Sequence, residues 1–319
     1  MKKLIFAIFC LLCGLSASAQ DNLERGRNYY EMQRYQEALP LLQAAAKEGF
    51  GEACYLLGQM YYYGRGIEKN APIALRMYHR GIEYGYDRGE GELGLMYERG
   101  EGCAADSVKA FSLYREGHAK GDPIASYRLA ICYWNGEGTE KNRAEAFKIL
   151  KPLYESRDFA RNYDWAYDWT CSLLGECYEN GWGTDVNIST AVRLYYKSDK
   201  PGALYHAALL MDKYKLGPIK GVDEGSKGGL LWLAIHKGGL EDAQAYYLLA
   251  QWLPTGGPLG GDDSSRLKYL QKAAEMGYGP AQKMCGDWYK SGRGTAVNLV
   301  KAREWYAKAK ANGEEVPEL

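Results

Sequence analysis

A pair of glycines that keeps coming back constrains this chain more than any other feature. Gly64-Arg65-Gly66 is followed by Gly100-Glu101-Gly102 and Gly136-Glu137-Gly138, each step being 36 residues. The pair returns at Gly181-Trp182-Gly183 and Gly292-Arg293-Gly294. Its surroundings return with it. A tyrosine stands three residues before the first glycine (Tyr61, Tyr97, Tyr133, Tyr178, Tyr289). An Asn or Asp stands four after the second (Asn70, Asp106, Asn142, Asn187, Asn298) and an alanine eight after it (Ala74, Ala110, Ala146, Ala191, Ala302). A fixed period of this length marks stacked repeats, each burying its apolar face against its neighbours.

One unit can be read from its residues. The stretch ACYLLGQMYYYG (53–64) carries apolar residues at helical spacing without proline, which predicts a first helix. Gly58 and its equivalents Gly94, Gly175 and Gly286 are expected where two helices approach closely. The glycine pair supplies the positive-φ turn that ends this helix. Asn70 suits the N-cap of a second helix, on which Ala74 and Tyr78 share a face. The unit is therefore a helix–turn–helix hairpin. A phosphate-cradling loop would occur once, after a strand, and no strand pattern precedes any of the five pairs.

The stretch ACYLLGQMYYYGRGIEKNAPIALRMYHRGIEYG (53–85) resembles a Sel1-like repeat, a relative of the tetratricopeptide repeat. So do residues 89–121, 125–150, 173–196 and 281–313, with degenerate units over 203–238 and 243–277. Residues 23–53 look more like a plain tetratricopeptide unit, marked by Gly26, Tyr29, Tyr35, Ala38 and Ala45. The resemblance implies an all-α, right-handed α-solenoid of about eight hairpins with one long groove. It implies a scaffold that binds other proteins, and leaves the partner unnamed. The expected organisation is a leader over 1–19, a tetratricopeptide-like first repeat over 20–52 and Sel1-like repeats over 53–154. An aromatic insertion over 155–170 and further repeats over 171–319 complete it.

The leader rests on a basic start (Lys2, Lys3), an apolar run over 4–15 and Ala17-Ser18-Ala19 as a cleavage site. Its apolar run is too short to span a bilayer. Cleavage after Ala19 would place the mature chain in the periplasm or outside the cell. Lys+Arg and Asp+Glu are 40 each, so no basic balance points to nucleic acid. An exported chain permits disulfides among Cys54, Cys103, Cys132, Cys171, Cys177 and Cys285. Several of these stand at repeat positions held elsewhere by Leu, Met or Trp, which suits buried thiols. Some secreted Sel1-like proteins carry one regularly spaced cysteine pair per repeat, a pattern absent here.

Signals for chemistry are sparse. His79, His118, His206 and His236 lie apart from one another in sequence and from acids or thiols at ligand spacing, so no metal or cofactor is expected. His79 is expected on a solvated face. Some cysteine-rich relatives have been described as β-lactamases. Ser265-Arg266-Leu267-Lys268 matches the first element of such a site, without its partners. A hydrolase is the least supported reading, and GVDEGSKGG (221–229) reads as a polar loop.

What remains is surface. By analogy with tetratricopeptide stacks, Tyr55, Gln59, Tyr62 and Tyr63 are expected to face a concave groove, as are Tyr127 and Trp134. Glu176, Glu179 and Asn180 form an acidic patch, and Tyr247 with Gln251 also qualifies. Such aromatics either anchor a partner or pack between repeats. The insertion adds Tyr163, Trp165, Tyr167 and Trp169, as a specificity rim or a patch over an irregular joint. The expectation is a non-catalytic scaffold taking a protein or peptide in its groove. A glycan-binding module that stacks sugars on the same aromatics is the alternative.

Overall fold

A computed structural model describes Ser18 and residues 20–86, 88–220, 226–253 and 261–318. The rest of the expected leader and much of the loops over 221–229 and 254–263 lie outside the described residues. The described residues are helix and turn, without strands. The chain is an all-α solenoid of helical hairpins. It divides into two compact units between Phe159 and Ala160, inside the expected insertion.

In the amino-terminal unit α1 (residues 20–31) pairs with α2 (Tyr35–Lys47) through Leu23, Ala38 and Leu42. Three hairpins follow: α3 (Gly51–Tyr63) with α4 (Ala71–Glu83), α5 (Glu90–Arg99) with α6 (Ser107–Ala119), and α7 (Pro123–Asn135) with α8 (Arg143–Glu155). The short α9 (Arg157–Asn162) comes next. The carboxyl-terminal unit contains α10 (Asp164–Asn180) with α11 (Ile188–Lys197) and α12 (Pro201–Lys213) with α13 (Lys227–His236). It ends with α14 (Ala243–Trp252) paired with α15 (Asp263–Glu275) and α16 (Gly279–Ser291) paired with α17 (Leu299–Ala311).

The turns form as their residues dictate. Across the five pairs every glycine has a φ between +67° and +83°. The Asn70 side chain accepts from the Ile73 amide at 3.0 Å, capping α4, and its own amide donates to the Tyr61 carbonyl at 2.8 Å. Asp106, Asn142, Asn187 and Asn298 repeat both bonds. The recurring alanines are buried within about one percent of full burial.

Two glycine roles are more specific than the sequence suggests. The helix glycine makes room for a ring rather than for a neighbouring backbone. A Cβ on Gly58 would stand 2.7 Å from Tyr78, on Gly94 2.5 Å from Tyr114, on Gly175 2.7 Å from Tyr195 and on Gly286 2.4 Å from Tyr306. Where the glycine becomes Ala130, the opposing residue is Leu150; where it becomes Ala250, the opposing residue is Leu270. The second glycine of the pair joins hairpins. A Cβ on Gly66 would lie 2.4 Å from Tyr35, on Gly102 2.7 Å from Ala71, on Gly138 2.1 Å from Ser107 and on Gly294 2.2 Å from Asp263. Each of those residues opens the second helix of the preceding hairpin.

Among the described residues Cys54, Cys132, Cys171, Cys177 and Cys285 are buried and Cys103 is half-buried. Burial pushes Cys132, Cys171 and Cys285 up to about 12.

Candidate partner-binding cleft

The expected groove aromatics of the amino-terminal unit are mostly packed. Tyr62, Tyr127 and Trp134 are 8%, 5% and 8% exposed, which corrects their reading as open anchors. Their rings fill space between helices, the other role the sequence left open. Tyr55 is half-buried between the rings of Tyr78 and Tyr86 at 5.8 and 5.2 Å. Its hydroxyl donates to Glu92 and accepts from Gln59, both at 2.7 Å. Gln59 in turn accepts from Tyr30 at 2.6 Å, so both ends of its amide are bound. Tyr63 alone is open, 53% exposed, with the Arg65 guanidinium 4.7 Å from its ring centre. Tyr247, half-buried, packs on Tyr278 at 5.2 Å.

The carboxyl-terminal unit holds a concave site. Between α10 and the start of α12 lies a cleft of about 630 Å³. Trp169, Ser172, Glu176, Glu179 and Asn180 contribute from α10; Lys200, Pro201, Gly202, Ala203 and His206 face them, with Tyr195 beneath. Residues 164–170 of α10 belong to the insertion, which lengthens this helix to 17 residues against 13 in α3 and α7. The extension carries Trp165 and Trp169 one turn apart, 46% and 51% exposed. Tyr163 stands at the N-cap position without a side-chain capping bond, and Tyr167 is half-buried.

The electrostatics of the cleft centre on Glu179. Its Oε2 accepts the Tyr195 hydroxyl at 2.8 Å and lies 2.8 Å from His206 Nε2. The Tyr195 hydroxyl is held well above its ordinary range, first by burial and then by this bond. Lys200 pairs with Asp168 at 3.4 Å and lies 5.9 Å from the Trp169 ring centre.

The structure thus brings together Trp169, Glu176, Glu179 and Asn180, while Tyr163, Trp165, Tyr167 and Tyr247 are not among the residues that line the cleft. The sequence reading missed Lys200, Tyr195 and His206. His206 is the sixth residue of α12, the position that Arg128 holds in α7, but that this position reaches an acid is seen only in the packed structure. His79 is half-buried, its Nε2 3.1 Å from the Tyr97 hydroxyl, which corrects its expected solvated setting. Ser265 does not cap α15; Asp262 does, accepting from the Ser265 amide at 2.8 Å. Among the described residues no three His, Cys, Asp or Glu side chains are grouped to hold a metal, and no helix is long and apolar enough to cross a membrane.

Comparison with known proteins follows the same lines. A family model described as Sel1 repeat matches residues 51–86, 89–122, 123–156, 171–198, 243–278 and 279–314, more than half of the chain. A 59-residue stretch is 37% identical to the ERAD-associated E3 ubiquitin-protein ligase component HRD3 of Candida glabrata, covering 18% of this chain and 7% of that protein. Among solved structures, c5321, a protective antigen of uropathogenic Escherichia coli displaying an SLR fold, superposes with a TM-score of 0.68 at 23% identity. That match covers 94% of this chain and 62% of the antigen. A Sel1 repeat protein from Oxalobacter formigenes matches with a TM-score of 0.49 at 23% identity, covering 94% of this chain and 99% of that one. The chain spans less than two thirds of the antigen and a small fraction of the yeast component.

Proposed function

The chain belongs to the Sel1-repeat family, and from that premise we propose that it is a non-catalytic scaffold that binds a protein segment in the cleft between α10 and α12. Sel1-repeat proteins generally mediate protein–protein interaction. The observation that carries the reading is the cleft itself: an open hollow with a half-exposed tryptophan, two acids and a histidine, built partly on residues outside the repeat pattern. A half-exposed aromatic beside polar groups is the usual composition of a protein-binding hot spot. The leader over 1–19 supports export, and amino-terminal sequencing of the protein from fractionated cells should begin at Gln20.

A second reading is favoured by the exposed pair Trp165 and Trp169, whose rings offer faces to sugars. Panning a displayed peptide library against residues 20–319 tests the first reading. Ligands should be recovered that lose binding to Trp169→Ala. A library that yields none, together with binding on a glycan array that needs both tryptophans, would transfer the function to glycans.

A further inference from the structure

We propose that the cleft between α10 and α12 receives an arginine side chain from the partner; this rests on the protein-binding reading above. An internal comparison carries the inference. In the amino-terminal unit Glu98, four residues after Gly94, accepts the Tyr114 hydroxyl on Oε2 at 2.7 Å. Its Oε1 is 3.4 Å from the guanidinium of Arg128, the sixth residue of α7. In the carboxyl-terminal unit Glu179, four residues after Gly175, accepts the Tyr195 hydroxyl on Oε2 at 2.8 Å. The sixth residue of α12 is His206, and its ring reaches that same Oε2.

An imidazole is shorter than an arginine side chain and ends on the other oxygen. Among the described residues no protein donor bonds to Glu179 Oε1. The place that Arg128 fills beside Glu98 is therefore empty beside Glu179, and here it opens into the cleft. The acid is nonetheless held in place, its side chain 18% exposed and tied down by Tyr195. The balance of charge agrees. Lys200 is matched by Asp168, and Glu179 presents a carboxylate to the cleft. Trp169 supplies a wall on which a planar guanidinium and its methylenes can lie. The flat fork of arginine also suits a carboxylate better than a point-charged ammonium does.

The test titrates residues 20–319 with short blocked peptides whose central residue is arginine, citrulline or lysine, read by tryptophan fluorescence and NMR. The arginine peptide should bind, weaken with added salt, and bind at least about tenfold more tightly than the neutral isostere citrulline. Glu179→Gln should lose about tenfold in affinity, while Glu98→Gln in the other unit should leave the peptide affinity unchanged. His206→Arg is the sharper variant. It rebuilds the Glu98–Arg128 arrangement inside the chain, and should block the peptide while leaving the melting temperature the same or higher. Equal binding of arginine and citrulline peptides, undiminished binding to His206→Arg, or a lysine peptide as tight as arginine would each overturn the proposal. If the displayed library yields ligands that need Trp169 but contain no arginine, this inference fails and the protein-binding reading stands. If it yields no ligands, that reading fails too.

Discussion

At the scale of the residue, the repeating contact is a glycine facing a tyrosine. Gly94 leaves room for the ring of Tyr114, whose hydroxyl reaches Glu98 at 2.7 Å. Tyr195 finds Glu179 in the same way, and Tyr306 donates instead to Asp287, the residue after Gly286. Tyr78 is the exception. The position of Glu98 is held in its hairpin by Tyr62, and the buried Tyr78 hydroxyl has no hydrogen-bond partner among the described residues. The pairs Ala130 with Leu150 and Ala250 with Leu270 show the other solution, in which a smaller apolar side chain admits a Cβ. Gly94→Ala should therefore destabilise the protein by about 1–3 kcal/mol through overpacking. Adding Tyr114→Leu should recover part of that loss. Urea unfolding of the two single variants and the double variant measures the coupling; strictly additive effects would show that ring and glycine do not meet.

At the scale of the element, the two glycines of one turn have different jobs. Gly136 ends α7 at φ +83°, and its nearest neighbours stand at 3.4 Å, so a methyl group there meets mainly backbone strain. Gly138 has φ +67° and, in addition, no room, because Ser107 of the preceding hairpin lies within 2.1 Å of where a Cβ would be. Gly136→Ala should cost about 1–2 kcal/mol, the price of a left-handed backbone for an L-residue. Gly138→Ala should cost clearly more and loosen α6 against the next turn. Hydrogen exchange on α6 separates the two, since only Gly138→Ala should speed exchange there. Equal stability and equal exchange in both variants would remove the second glycine from the joint between hairpins.

At the scale of the whole molecule, the many buried acids of weak ionisation set an alkaline limit. Burial raises the thiols of Cys132, Cys171 and Cys285 from 9.0 to about 12, and the hydroxyl of Tyr127 from 10.0 to about 12. These groups lose their protons in the unfolded chain before they do so in the folded one. Their contribution is fully present below about pH 9 and is lost progressively as pH rises toward 12. Stability to urea should be flat up to about pH 9 and fall above it, with a shallower fall in Cys285→Ala. A stability that holds constant to pH 11 would contradict the burial of these thiols. Alkylation without reductant should likewise modify all six cysteines of residues 20–319 in denaturant and few of them in the native protein.

Much of this protein was legible in the order of its residues. The period, the turns and the caps depend on backbone conformation and on bonds spanning a few residues, so Gly64, Asn70 and Ala74 declare themselves locally. The all-α solenoid follows, because hairpins of one pattern must bury one another's faces. Local spacing cannot say which ring of a tyrosine-rich chain is covered. Tyr62 and Tyr63 are adjacent in sequence, yet one is buried and the other half open, because the helix turns about 100° between them. Nor could spacing join His206 to Glu179, 27 residues away, or show that the insertion would extend α10 and set Trp169 at the mouth of a cleft. Those relations arise only when separate hairpins pack, so the tertiary structure alone decided where the cleft lies and what lines it.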